Sequence, residues 1–326
     1  MSGKRRRKRR KRRRRFLKNH IEPRIYSLLM SAIPFIPLGV VRLLSYVMFA
    51  VFYPTIGVFF GLRRKYIKNI TKAYRGVMRG KEIRAVARKG LRHLITENLE
   101  FMYYYHPRNR DRMLKNIKMT GIENLERARE MGKGVIGFGM HLGSFQLLCV
   151  RLSLKDIDFT ILIKRPKYRN MAAVWVRLMD KIGMKRIWIS GEHRAGFETA
   201  TEIFAEIESG RSIMFIADEF KRVGGIRANI FGRPTYIAGG PAVGSLRTGA
   251  PILPILIVRG KKGRYEIFFE EPIVYRPTGD KDRDIEALTQ GRADIIERYV
   301  KLYPEQWFWF HSHWKGVEDG VIPHKP

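Results

Sequence analysis

His141 closes an apolar run, Gly134 to Met140, and opens the stretch Leu142-Gly143-Ser144-Phe145-Gln146-Leu147-Leu148. Run, glycine and small polar residue in that order predict a buried strand, a sharp turn and a helix start. The imidazole then stands at the carboxyl end of a strand, where open α/β sheets hold their reactive groups. Histidine titrates near neutral pH and is the commonest proton carrier in catalysis, so proton transfer is the chemistry to expect. Gly143 and Ser144 begin the helix, and their backbone N–H groups are candidate donors to a developing oxyanion. A plain turn is the alternative.

Asp218, in Ala217-Asp218-Glu219-Phe220, ends a second apolar run, and the same crevice argument applies to it. A loop-capping carboxylate is the competing reading. Arg165, in Lys164-Arg165-Pro166, ends a third run and is either a site cation or an exposed strand-end arginine. Arg233 and the pair Gly239-Gly240 are candidates for contact with an anionic headgroup, because glycine-rich turns before helices bind anions. A tight turn before a packed helix competes with that. His311 and His313 lie two apart with no third ligand near them in sequence, so no metal is expected. The single cysteine, Cys149, lies in an apolar stretch, can form no internal disulfide, and fits a packed helix face better than a nucleophile. Trp307, Trp309 and Trp314, with Phe308 and Phe310, read as packing, with a groove wall as the alternative.

These groups need a scaffold, and the apolar periodicity supplies one. Strands are predicted at 134–140, 158–163, 186–190, 211–217, 252–258 and 265–270. Helices are predicted at about 82–105, 144–154, 170–183, 194–209, 240–248 and 281–303, and Tyr66, Ile67, Ile70 and Tyr74 share a further helical face. Strands alternating with helices of this length predict an α/β fold, a mixed, mainly parallel sheet covered by helices on both faces.

The chain carries a formal net charge of +34, and the unbroken run Lys4–Arg15 holds twelve of those charges, so +22 remains elsewhere. Residues 1–20 are expected to be a disordered polybasic tail. Residues 21–64 are expected to be a membrane anchor, because Leu43 to Leu62 lacks any charged residue over about the thickness of a bilayer. Pro34, Pro37 and Pro54 argue against one straight helix there, so a span and a kinked entry into one leaflet both stand, beside a buried core helix. Residues 65–326 form the folded body. Such basicity suits anionic lipid, nucleic acid or an acidic carrier protein. The basic arm lacks interleaved aromatics that would stack on bases, so nucleic acid is not expected.

Three patterns stand in a fixed order: His141-Leu142-Gly143-Ser144-Phe145-Gln146, then Phe231-Gly232-Arg233-Pro234 with Gly239-Gly240-Pro241 and Arg247-Thr248-Gly249-Ala250-Pro251, then Tyr303-Pro304-Glu305-Gln306-Trp307 through Trp314-Lys315. Together they resemble the bacterial late acyltransferases of lipid A biosynthesis, the lauroyl/myristoyl transferase branch of the lysophospholipid acyltransferase superfamily. The resemblance covers roughly residues 25–315. It implies an enzyme attached to the cytoplasmic face of the bacterial inner membrane. Such an enzyme moves a fatty acyl chain from acyl carrier protein, or acyl-CoA, to a hydroxyl of a lipid A precursor or a related glycolipid or lysophospholipid. It further implies that His141 is the general base, that Arg165 matches a basic position of the site, and that no cofactor or metal is required.

At one position the chain departs from that family, which carries Asp or Glu where Gln146 stands. An amide can accept the ring N–H but brings no charge to stabilise an imidazolium, and the positive end of the following helix opposes that charge. Three explanations stay open: Gln146 itself or a carboxylate from elsewhere, Asp218 or Glu219, does the work; the chain is an inactive lipid-binding homologue; or a Glu→Gln exchange was introduced to trap substrate.

Overall fold

The computed structural model describes residues 16–59, 61–189, 193–221, 224–273, 275–311 and 313–314. The polybasic run Lys4–Arg15 lies outside the described residues, and the first element among the described residues is a π-helical turn at Leu17–Ile21. Helices α1 (Glu22–Ala32), α2 (Leu38–Phe59), α3 (Leu62–Ala73) and α4 (Gly80–Tyr104) follow, then α5 (Arg110–Asn116), strand β1 (Ile117–Thr120) and α6 (Ile122–Glu130). The alternating body comes next: β2 (Val135–Gly139), α7 (Phe145–Leu152), β3 (Phe159–Lys164), α8 (Arg169–Lys181), β4 (Arg186–Ile189), α9 (His193–Glu208) and β5 (Ser212–Ile216). A hairpin of β6 (Gly225–Ile230) and β7 (Arg233–Ala238) leads to α10 (Gly240–Thr248), β8 (Ile252–Arg259), β9 (Tyr265–Phe269) and α11 (Lys281–Leu302).

Seven strands make one sheet in the order β1-β9-β8-β2-β5-β3-β4. Every neighbouring pair is parallel except β8 with β9. The expected mixed, mainly parallel α/β sheet is therefore the fold found. Its strands alternate between two cores: Ile136 and Phe138, Ile213 and Phe215, Leu256 and Val258 point into one. Val135, Met214, Leu253, Ile255 and Ile257 point into the other. That period of two, with apolar residues on both sides, is what a sheet sandwiched between helices requires.

The six predicted strands are present to within two residues, and three short ones were not foreseen. β1 has four residues at the sheet edge, and the hairpin strand β6 is polar on its open side, with Arg227 and Asn229 exposed. The turn joining β6 to β7 is Phe231-Gly232, both at positive φ, the primed geometry that matches strand twist. An aromatic residue seldom occupies that region. Here the Phe231 N–H donates to Glu297 and its ring packs 5.0 Å from Tyr74, which together hold the conformation.

The segment expected to be an anchor is two helices docked on the body. Val41 and Ser45 of α2 are buried, and Ser45 Oγ lies 3.1 Å from Thr96 Oγ1 of α4. Arg42 reaches Glu100 of α4 at 2.6 Å and donates to the carbonyls of Lys262 and Gly263. Pro54 sits inside α2 without ending it. Among the described residues no helix is long and apolar enough to cross a membrane. The faces turned away from the body are apolar nonetheless: Ile25, Leu28, Phe35, Leu43 and Val47 are all exposed.

Candidate active site

β2 and β5 are adjacent and parallel, with Gly139 and Ile216 as their last paired residues. The chain beyond each strand therefore emerges on the same edge of the sheet, two residues from His141 on one side and from Asp218 on the other. His141 Nδ1 lies 2.6 Å from Asp218 Oδ1. The second carboxylate oxygen accepts a hydrogen bond from Trp307 Nε1 at 2.8 Å. Asp218 is completely buried, and only 14% of the His141 side chain is exposed.

Electrostatics fix the proton positions. Burial opposes ionisation of Asp218, but the His141 charge and hydrogen bond, with His313 and Trp307, hold its carboxyl well below the usual carboxylate range. Burial alone would lower the His141 pKa; the Asp218 charge and hydrogen bond, aided by Glu219, outweigh it and raise the imidazole above its ordinary value. An ionised carboxylate only accepts, so neutral His141 carries its proton on Nδ1 and keeps a lone pair on Nε2.

The turn that presents His141 is clamped from the carboxyl-terminal segment. Gly143 has φ +53°, and a Cβ there would stand 2.3 Å from the Ile257 carbonyl oxygen, so only glycine fits. The Gly143 N–H donates to the Gln306 carbonyl at 3.0 Å, and the Phe308 N–H donates to the His141 carbonyl at 2.9 Å. Gln306 in turn grips Arg259 at the end of β8 through both its backbone groups, at 2.8 and 2.9 Å. The Pro304-Glu305-Gln306-Trp307 motif thus holds the histidine turn and the Asp218 carboxylate at once. Trp307, Trp309 and Trp314 are buried, as the packing reading expects.

Beside this pair lies a cavity of about 310 Å³. Its walls are apolar, from Ile161 and Ile163 on β3, Trp175 and Leu178 on α8, Tyr26 on α1 and Phe101 on α4, while His141, Gln146, Glu219, Lys164 and Lys221 bring the polar groups. An apolar cavity with a few convergent polar groups is the usual form of a site for an apolar ligand with a reactive polar end. Cys149 also lines it, but burial pushes its thiol up to about 12, so it is no nucleophile at neutral pH.

The other sequence candidates divide. Gln146, half-buried in the first turn of α7, lines the cavity beside His141, but the ring N–H it was expected to receive goes to Asp218. Ser144 is buried at the start of α7, and its hydroxyl has no hydrogen-bond partner among the described residues. The Gly143 N–H, committed to Gln306, is not open to an oxyanion in this arrangement. Arg165 is exposed, with its guanidinium 5.8 Å from the Trp188 ring centroid, and does not line the cavity. Arg233 opens β7 at the hairpin turn, and Gly239 and Gly240 allow close packing: added Cβ atoms would lie 2.6 Å from Ile226 and 3.2 Å from the Phe215 ring. None of these three borders the cavity.

Sequence reasoning did not foresee His311 as a neighbour. Its ring centroid lies 4.8 Å from that of His141, and its Nε2 is 3.1 Å from Glu219 Oε1, which is itself 3.8 Å from His141 Nε2. His313 instead packs inward, stacked at 4.1 Å on Trp307 and donating from Nδ1 to the Asp218 carbonyl. Burial pushes it down to about 4, so it stays neutral. The two histidines thus face different surroundings, and the third ligand missing in sequence is supplied by the fold: one ligand atom each from His141, Glu219 and His311 lie within 4.8 Å of one another.

A neutral imidazole with its free nitrogen beside a greasy cavity, backed by a buried carboxylate, can take a proton from a hydroxyl on an amphipathic molecule. The chain is similar in sequence to known lipid acyltransferases. A phosphatidylinositol mannoside acyltransferase of Mycolicibacterium smegmatis is 24% identical over 207 residues, 62% of this chain and 64% of the relative. Its counterpart from Mycobacterium tuberculosis is 24% identical over 195 residues, 60% of this chain and 58% of that protein. This chain therefore spans only about three fifths of the length of those two relatives. A lipid A biosynthesis palmitoleoyltransferase of Escherichia coli is 25% identical over 223 residues, 66% of each chain. The sequence profile of the bacterial lipid A biosynthesis acyltransferases matches residues 15–316, nearly the whole described chain, and the protein belongs to that family.

Proposed function

We propose that this protein is a membrane-attached O-acyltransferase that moves a fatty acyl chain from a thioester, carried by acyl carrier protein or coenzyme A, to a hydroxyl of a glycolipid such as a lipid A precursor. One observation carries the reading: the buried His141–Asp218 pair stands at the edge of an apolar cavity. His141 Nε2 accepts the hydroxyl proton as the oxygen attacks the thioester carbonyl carbon. The tetrahedral intermediate collapses, the carbon–sulfur bond breaks, and the imidazolium returns the proton to the departing thiolate. The products are an ester and a free thiol. A positioned base of this kind contributes about 10²–10⁴-fold.

Asp218 answers the difficulty raised by Gln146. The amino-terminal end of α7 opposes a positive charge on His141, and Gln146 supplies none to offset it. The ionised, buried Asp218 does, and it also selects the tautomer. The geometry therefore favours a carboxylate recruited from the neighbouring strand over an impaired site. Attachment to the inner leaflet of the inner membrane rests on the exposed apolar faces of α1 and α2 and on the polybasic run Lys4–Arg15, with roughly 1 kcal/mol per basic residue near anionic lipid.

The test is transfer of a labelled acyl group from acyl carrier protein or acyl-CoA to extracted membrane lipid, with the product identified by mass spectrometry. Turnover lost in His141→Ala supports the reading; turnover unchanged in that variant ends it. The rival reading, a non-catalytic lipid-binding homologue, draws on Gln146 and is favoured by lipid binding without transfer from either donor.

A further inference from the structure

We propose that His141, Glu219 and His311 form a binding site for a divalent transition-metal cation, zinc foremost, and that occupancy of this site switches the acyltransferase off. The inhibitory half of the proposal rests on His141 being the base; the binding half does not. The three groups come from the turn after β2, the turn after β5 and the segment after α11, and only the fold brings them together.

Two imidazoles and one carboxylate form a ligand set that suits zinc and its neighbours, whereas calcium and magnesium demand oxygen ligands. Tetrahedral zinc with bonds of about 2.0–2.1 Å places its ligand atoms roughly 3.3 Å apart. Glu219 Oε1 already lies 3.1 Å from His311 Nε2 and 3.8 Å from His141 Nε2, and all three ligand atoms fall within 4.8 Å. The side chains of Glu219 and His311 are 32% and 26% exposed, so they can make the remaining adjustment without disturbing the core.

The surroundings match a built site. Asp218 accepts from His141 Nδ1, the arrangement of carboxylate, histidine and metal in which the outer carboxylate aims the ring and raises its basicity. His141 and Glu219 both border the cavity, which leaves the fourth position facing solvent or substrate. His141 Nε2 has a single lone pair in this tautomer, so metal binding and acceptance of the hydroxyl proton exclude each other.

The experiment uses the full chain in detergent micelles, stripped with a chelator and titrated with zinc by calorimetry, with cobalt as a visible-absorbance probe of tetrahedral ligation. One equivalent is expected to bind, with affinity at least tenfold weaker in His311→Ala and in Glu219→Gln, and about 10–100-fold weaker in Asp218→Asn. Acyl transfer should fall in step with occupancy and return on chelation, while His311→Ala should turn over without responding to zinc. Unchanged zinc affinity in both His311→Ala and Glu219→Gln, or no binding at micromolar zinc, overturns the site. Turnover by the zinc-loaded protein equal to or faster than that of the stripped protein overturns the inhibition. Zinc binding that depends on these residues in a chain without transfer would refute the acyltransferase reading and leave the site standing.

Discussion

Asp218 Oδ1 and His141 Nδ1 are 2.6 Å apart although 77 positions separate them in the chain. The contact exists because β5 runs parallel beside β2 and both strands deliver their next residues to one edge. Asp218→Asn should keep the fold, since its size is unchanged, but an amide can present its N–H₂ to the ring and favour the wrong tautomer. By analogy with the same change in a serine protease, kcat should fall by about 10⁴. Steady-state kinetics with circular dichroism as the folding control decide it, and a loss below tenfold would remove Asp218 from the mechanism.

Gln146 should matter far less than its position suggests. The imidazole N–H it was expected to hold is taken by Asp218, so Gln146→Ala leaves tautomer and charge untouched. Its place on the cavity wall makes substrate fit the property at stake. The expected outcome is kcat within about threefold of the parent, under 1 kcal/mol, with the change concentrated in KM. A loss of kcat as large as that of Asp218→Asn would return Gln146 to the site's centre.

How much of this was legible in sequence depends on which contacts are local. His141 was readable because an apolar run, a glycine and a helix start adjoin it in the chain. Asp218 was readable as a strand-end carboxylate, but its partnership was not, since strand adjacency is a tertiary fact. His311 and His313 stand two apart in the chain, yet the structure turns one toward Glu219 and buries the other against Trp307. Arg165, Arg233, Gly239 and Gly240 stand away from the cavity beside His141. Their positions in familiar patterns suggested ligand contact, while the fold uses the glycines for helix–sheet packing and sets Arg165 against Trp188. The hairpin has little local signal in the sequence, because its turn holds phenylalanine where Asn or Asp is usual.

The raised pKa of His141 sets the sign of the pH response. As the proposed base, His141 must be neutral to work, so kcat/KM should rise with pH and level off above an apparent pKa higher than the ordinary value of about 6.5. Glu219 adds to the elevation, so Glu219→Gln should move the midpoint toward lower pH while leaving the plateau in place. A profile that does not move, or moves upward, would show that Glu219 exerts no field on the base.

Glu100 joins the first helices to the sheet. Wholly buried, it accepts from Arg42 on α2, from Arg259 at the end of β8 and from the Tyr265 hydroxyl at 2.5–2.8 Å. Burial opposes its ionisation, but the Arg259 hydrogen bonds and charge lead the groups that keep its pKa low. Glu100→Ala would leave two guanidinium groups without their shared counter-charge, a change that costs about 3–5 kcal/mol when a buried pair is broken. Chemical denaturation should show that loss, and because Arg259 also carries Gln306, turnover should fall even where the variant remains folded.

The proposed membrane attachment makes its own demand on α1 and α2. Leu28 and Leu43 are 67% and 61% exposed, so replacing them removes nothing from the core. If they enter the lipid, each contributes about 1.5–3 kcal/mol of transfer free energy. The double variant Leu28→Glu, Leu43→Glu should then bind vesicles at least about 100-fold more weakly, from roughly 3 kcal/mol of lost transfer. Deleting residues 1–15 should instead weaken binding only to anionic vesicles, and added salt should mimic the deletion. Cosedimentation with neutral and anionic vesicles separates the two contributions. Full binding by the double variant to neutral vesicles would place the lipid-facing surface elsewhere on the protein, since two buried glutamates at an apolar interface cannot be without cost.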